Sequence, residues 1–365
     1  MTLKITDANY HAIVRKLISD DRKVPKGTNL QNIPAKKDGK RVRMCFVPRE
    51  GYVFIGADLG QIEPRIQSHI MYTKYGDNSM RQIFIDDTGY YETMAEMTFR
   101  LPREYCVDGA DDPTGTFKPR SMMKTGVLAV SYDQSPNAFA KKMHVTNGIA
   151  EMFFSQFNES FPSFKQMVTD IREGMKRTGY VETLYGRKRR FPDYKRVAAE
   201  AAKHEQKRIR LYTERKRLNA KDKQTPADES RLSVIQAELD ILRDQTGLVG
   251  YWERAAFNAV IQGTGADILK MNGNRMARIC KERGWEMNAS IHDEVLLSVP
   301  RDQVTPETIA LINDVMTKTA DLSVPLTTDI VIMPRWMEEY RPDKGEWDFE
   351  NCRPKTKEDD ALSHN

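Results

Sequence analysis

YVFIGADLG, Tyr52 to Gly60, is the stretch on which the reading of this chain turns. Its β-branched and aromatic residues predict a buried strand, and Gly60 closes it in a turn. Asp58 stands where that strand gives out. A lone carboxylate in such a place is most often a cap or a turn residue. MNASIHDEVLLSVP, Met287 to Pro300, predicts two further short apolar strands around a polar tip at His292 and Asp293. Two strand-end carboxylates brought together can share a pair of divalent cations, one activating an attacking oxygen and one stabilising a leaving oxygen. Two Mg²⁺ ions suit such a site, with Mn²⁺ as a substitute, because Mg²⁺ binds through a few carboxylates and completes its shell with substrate phosphates.

Outward from these strands the pattern turns helical. A helix is expected from about Arg120 to Tyr132, with Pro119 at its start and Pro136 just beyond its end. Arg120, Lys124, Leu128 and Tyr132 recur every four residues and so share one face of it. Ala150 to Thr178 alternates at helical spacing and is broken by FPSF at Phe161, a helix–helix corner. Between Lys195 and Lys223 eleven Lys and Arg stand against four acids, whereas Leu232, Ile235, Leu239 and Leu242 follow at 3-4-3 spacing. With TPADES as turn and N-cap, 195–247 reads as an antiparallel helical hairpin projecting from the main body. Gly250 to Gly284 reads as one long helix or two in tandem, with Arg254, Asn258 and Gln262 along one face.

Composition narrows the class without deciding it. The chain has 365 residues, 39% hydrophobic and 30% charged, with a net charge of +5, enough for a sizeable core in more than one lobe and compatible with a polyanionic partner. Cys45, Cys106, Cys280 and Cys352 form no C-x-x-C pair. The opening residues lack the apolar core of a signal peptide, and no stretch is long enough to span a bilayer. The expected location is the cytoplasm, that of a host cell if the chain is viral, with no membrane partner.

DLGQIEPR, Asp58 to Arg65, resembles motif A of family A DNA polymerases, usually DYSQIELR, and IHDEV, Ile291 to Val295, resembles motif C. Arg120, Lys124 and Tyr132 fall at the R-x3-K-x7-Y spacing of motif B. NLQNIP at Asn29, TLYGRKRRFP at Thr183 and ERAAFNAVIQGTGADILK at Glu253 resemble three more blocks, in the expected order over roughly Arg22 to Val299. The resemblance implies an α+β fold: an antiparallel palm sheet backed by helices, at 22–75 and 250–353, around helical fingers at 76–249. It leaves 1–21 as an N-terminal extension, and the polar, charged composition of 354–365 predicts a disordered tail.

The same resemblance assigns roles. Asp58 and Asp293 are the metal ligands and Glu294 an auxiliary carboxylate. Arg120 and Lys124 hold the triphosphate, with Lys124 able to protonate departing pyrophosphate. Gln61, Leu128 and Tyr132 complete the dNTP pocket, and Glu63 is a steric gate against the ribose 2′-hydroxyl. Arg22, Arg254, Asn258, Gln262 and His292 contact primer–template DNA, the middle pair and Gln262 through minor-groove acceptors. The implied activity is DNA-templated DNA synthesis from dNTPs. A non-catalytic or partner-dependent DNA-binding subunit is the alternative, and a single-subunit RNA polymerase, which Glu63 opposes, is a third.

Several positions depart from the family pattern. Leu59 and Gly60 replace Tyr and Ser in motif A, and Leu128, Ala129 and Asp133 replace an aromatic residue and two glycines in motif B. Leu128 points to a phage-type member. About twenty residues precede Arg22, too few for a thumb or an exonuclease. No proofreading is therefore expected, and a second chain supplying those parts, or a processivity factor, is the expected partner. Three readings of the 195–247 insertion stand open: it grips DNA in place of a thumb, docks a partner through its Leu/Ile seam, or buries that seam on itself.

Overall fold

A computed structural model of the chain describes residues 33, 38–131, 134–221 and 223–356. Arg22, Tyr132, the extension at 1–21 and nearly all of NLQNIP lie outside these residues. After a short helix α1 (Asp38–Arg43), the expected buried strand forms β1 (Tyr52–Leu59). Val53, Ile55, Ala57 and Leu59 alternate onto one face of it and join the main core, whereas Phe54 points to the other.

Helices α2 (Ile62–Tyr75), α3 (Ser79–Ile85), α4 (Tyr90–Phe99), α5 (Pro119–Ser131) and α6 (Pro136–Met143) follow. The corner at FPSF is real: α7 (Asn147–Ser160) stops at Phe161, and Pro162 opens α8 (Pro162–Thr178). Phe139, Phe153, Phe157, Phe161 and Phe164 are all fully buried and form the aromatic centre of this helical region. A Cβ on Gly126 of α5 would fall inside the ring of Phe153, so glycine is what lets α5 lie this close to α7.

A small hairpin, β2 (Tyr180–Glu182) with β3 (Lys188–Arg190), leads into α9 (Tyr194–Asn219) and α10 (Pro226–Arg283). Helix α10 runs unbroken for 58 residues, so the second arm of the hairpin and the expected long helix are one element. The domain boundary expected at 249/250 therefore falls inside a helix. Thr225 caps it through a capping box with Asp228, as TPADES predicts. The Leu/Ile seam packs with Leu211 and Leu218 of α9 into a small core of its own, so the hairpin buries that seam on itself.

Then come β4 (Glu286–Ile291), β5 (Glu294–Pro300), α11 (Pro306–Lys318) and β6 (Thr328–Met333). The four long strands make one antiparallel sheet in the order β4-β5-β1-β6. Strands β7 (Trp347–Asp348) and β8 (Arg353–Pro354) pair near the end of the described residues. Pro354 thus belongs to a strand, and the disordered tail expected from there is corrected at that point; 357–365 lie outside the description. The α+β architecture, an antiparallel sheet beside a helical region, is the one expected. No described helix is long and apolar enough to cross a membrane.

Candidate active site

Strand register assembles the carboxylates. Asp58 sits opposite Glu294 on β5 and opposite Asp329 on β6, and residues paired across strands share a face. The β4–β5 turn brings Asp293 alongside: the backbone N–H of Leu59 donates to the Asp293 carbonyl at 3.2 Å. His292 takes the left-handed conformation, φ 56°, which turns the chain tightly enough to present Asp293. Burial first, then Asp293 and Glu294, raise the Asp58 carboxyl to about 7. Burial and Glu339 lift Glu294 to about 7, against the pull of Arg43.

Gly56 and Arg43 support this cluster and carried no signal in the sequence. A Cβ on Gly56 would meet Glu294 Oε1 at 2.5 Å, so the bare strand is what makes room for that carboxylate. Arg43 is 8% exposed, stacks over the Trp336 ring at 4.5 Å and supplies the cationic neighbour of Glu294. The turn after β1 is held by another buried guanidinium: Arg65 Nε donates to the Gly60 carbonyl at 2.8 Å and Nη2 to Thr327 Oγ1 at 2.9 Å. Gln61 begins α2 from the left-handed region, φ 54°.

Glu63 follows in the first turn of α2. Its carboxyl is raised by burial, lowered by a hydrogen bond from Gln262 and raised again by Asp293. Glu63, Gln262, His292 and Asp293 line one cavity of about 250 Å³. A larger cleft of about 490 Å³ adjoins it at Gln262 and Ala266, lined by Arg187, Arg189, Tyr251, Arg254 and Asn258. Three of the expected DNA contacts, Arg254, Asn258 and Gln262, thus share one cleft, and His292 joins them at its inner end. Arg187 ties β3's approach to α10, donating to Asp267 at 2.6 Å and to the Gly263 carbonyl at 2.8 Å.

On α5, Lys124 is exposed and Leu128 is 44% exposed, on the same face as Arg120. Arg120 is ion-paired with Glu92 of α4 and, at 2.8 Å, with Asp108. Tyr91 lies between this face and Glu63 of α2: its hydroxyl is raised by burial and by Glu63 and lowered by Arg120. Neither Tyr91 nor Glu92 stands out in the sequence.

The sequence model of DNA polymerase family A matches residues 22–338. The chain belongs to that family. Among similar family A proteins, the thermostable DNA polymerase I of Thermus aquaticus is 27% identical over 311 residues, 85% of this chain and 30% of that protein. The enzyme of the same description from Thermus filiformis is 29% identical over 311 residues, with the same coverage. DNA polymerase I of Streptococcus pneumoniae is 26% identical over 339 residues, 92% of this chain and 32% of that one. The chain therefore spans about a third of the length of these relatives. In fold it resembles the POL domain of Pol1 from M. smegmatis, solved in complex with DNA primer-template and dNTP, with a TM-score of 0.61 at 23% identity over 85% of this chain and 45% of that one. The phage-type expectation gains no support from these bacterial relatives.

Proposed function

We propose that this chain is a DNA-templated DNA polymerase, in which a primer 3′-hydroxyl attacks the α-phosphate of a dNTP and pyrophosphate leaves. The observation that carries the reading is the pairing of Asp58 with Glu294, with Asp293 alongside lining a cavity that adjoins the cleft of Arg254, Asn258 and Gln262. Membership of the family and the fold of a relative bound to primer-template and dNTP support it. The sheet with its flanking helices acts as palm, at 22–75 and 250–353, and the helical region between as fingers.

The acids fit divalent cations. Burial, then Asp293 and Glu294, raises Asp58 to about 7, and burial with Glu339 raises Glu294 to about 7, a penalty on negative charge that a cation relieves. Mg²⁺ bound by Asp58 and Asp293 would complete its shell with substrate phosphates. Two such ions would lower the pKa of the attacking hydroxyl and neutralise charge on the leaving oxygen. Arg120 and Lys124 would hold the triphosphate from α5, with Lys124 giving departing pyrophosphate a proton. For Arg120 this requires the phosphates to displace Glu92 or Asp108. Glu63, fixed by Gln262, crowds the sugar's 2′ position. Arg254, Asn258 and Gln262 contact the minor groove of the nascent duplex, where every correct pair offers the same acceptors.

Primer extension by the purified chain with Mg²⁺ and either dNTPs or rNTPs tests this. Extension with dNTPs is expected, and Asp293→Asn should lower its rate by about 10³-fold or more, the equivalent of several kcal/mol of lost charge stabilisation. A folded chain that binds primer–template but extends nothing would leave only a binding role.

A further inference from the structure

We infer that the groove between α9 and α10 is a track for the unpaired template strand, continuing the cleft that holds the duplex; the inference rests on the polymerase reading above. The groove encloses about 730 Å³ and is lined by Ala201, Glu205, Arg208 and Tyr212 from α9 and by Gly250 and Arg254 from α10. Arg254 also lines the duplex cleft, so the two hollows meet at that side chain. Beside it stands Tyr251, 55% exposed, and at the far end Tyr212, 48% exposed, with the Arg215 guanidinium 4.9 Å from the centre of its ring. Glu205, a carboxylate in the lining, is neutralised by Arg208 at 2.8 Å.

Charge draws a polyanion here. Helix α9 carries nine Lys and Arg against three acids, a surplus larger than the +5 of the whole chain. Shape selects the kind of polyanion. Packed helices lie with axes about 8–10 Å apart, which leaves a furrow too narrow for a duplex but open to one strand. Alternating arginine and exposed tyrosine is the arrangement that holds unpaired strands, phosphates on the cations and bases stacked on the rings. The cross-helix hydrogen bond from Tyr194 to Glu253 and the ion pair of Lys207 with Glu238 set the two helices in register. By that register Tyr212 lies about 25 Å along the α10 axis from Tyr251. In a primer–template, the strand left unpaired beyond the primer end is the template.

The test is equilibrium binding of the full chain to labelled primer–templates of one duplex length, with either a blunt template end or a 5′ template overhang of about ten nucleotides. The parent chain should bind the overhang substrate more tightly than the blunt one. Tyr212→Ala should cut that advantage about tenfold, whereas Tyr212→Phe, which keeps a stacking ring, should retain it. Arg208→Ala should reduce the salt slope by about 0.7 on the overhang substrate alone, the contribution of one phosphate on a single strand. Equal overhang advantage in the parent, Tyr212→Ala and Arg208→Ala would overturn the inference, as would a loss of the same size on the blunt substrate. If the parent extends the overhang primer but binds it no more tightly than the blunt duplex, this inference alone fails. If it neither binds nor extends either substrate, the polymerase reading fails and takes this one with it.

Discussion

Asp58 holds a proton more tightly in the folded chain than an ordinary aspartate does, since burial and the facing acids raise it from 3.8 to about 7. Below about pH 4 folded and unfolded forms both hold that proton, and the contribution to stability is fully present. As pH rises towards 7 the unfolded chain has released it and the folded one has not, so stability is lost across that window. With a chelator present, Tm is therefore expected to fall between about pH 4 and 7. Added Mg²⁺ should restore it most at the upper end, and Asp58→Asn should flatten both responses. A Tm indifferent to pH and Mg²⁺ in the parent would remove Asp58 from a cation site. Glu63→Ala should relax sugar discrimination by about 10–200-fold, read as the ratio of dNTP to rNTP kcat/KM; an unchanged ratio would return Glu63 to the role of a surface carboxylate. The position of Asp58 and Asp293 at strand ends was legible in the sequence, whereas their reading as a metal pair came from the resemblance. Arg43, Tyr91 and Glu92 were not: each reaches the site from an element whose pattern records only its own burial.

The hairpin of α9 and α10 shows what periodicity can and cannot convey about an element. The seam at Leu232, Ile235, Leu239 and Leu242 announced a helix with a partner face, and TPADES announced its start. The continuity of α10 through Gly247 and Gly250 was hidden, because glycine inside a helix costs about 1 kcal/mol and reads as a break. A Cβ at Gly247 would meet nothing, so no steric demand keeps that glycine. Because Thr225 satisfies the first turn, Thr225→Ala is expected to lower hairpin stability by about 1 kcal/mol. Hydrogen exchange should register this as faster exchange over 226–242 with β1 and β5 unaffected. Protection that stays uniform, or falls equally in the sheet, would mean that the hairpin does not open on its own.

At the scale of the molecule, the order of parts in sequence and in space diverge. One strand and one hairpin were readable as short β-branched and apolar runs ended by turn signals, and the resemblance supplied the fold class around them. The order β4-β5-β1-β6 was not readable from pattern alone, since β1 is flanked on both sides by strands from the far end of the chain. No local signal specifies a pairing between Asp58 and Glu294 or Asp329. A chain ended after Arg283 would keep every helix through α10 but leave β1 with two open edges. Such a chain is expected to aggregate where the full one stays in solution, measured as the soluble fraction on expression. Full solubility would show that the helical region folds without its sheet.

That central strand also sets a timetable. Ribosomes add about 5–20 residues per second, so after Leu59 is made roughly 10–50 seconds pass before Glu294 exists to pair with Asp58. Throughout that wait an apolar ribbon of eight residues stands beside a half-made helical region with nothing to bond to. The carboxylate cluster is therefore acquired only after every helix between its two halves has been made.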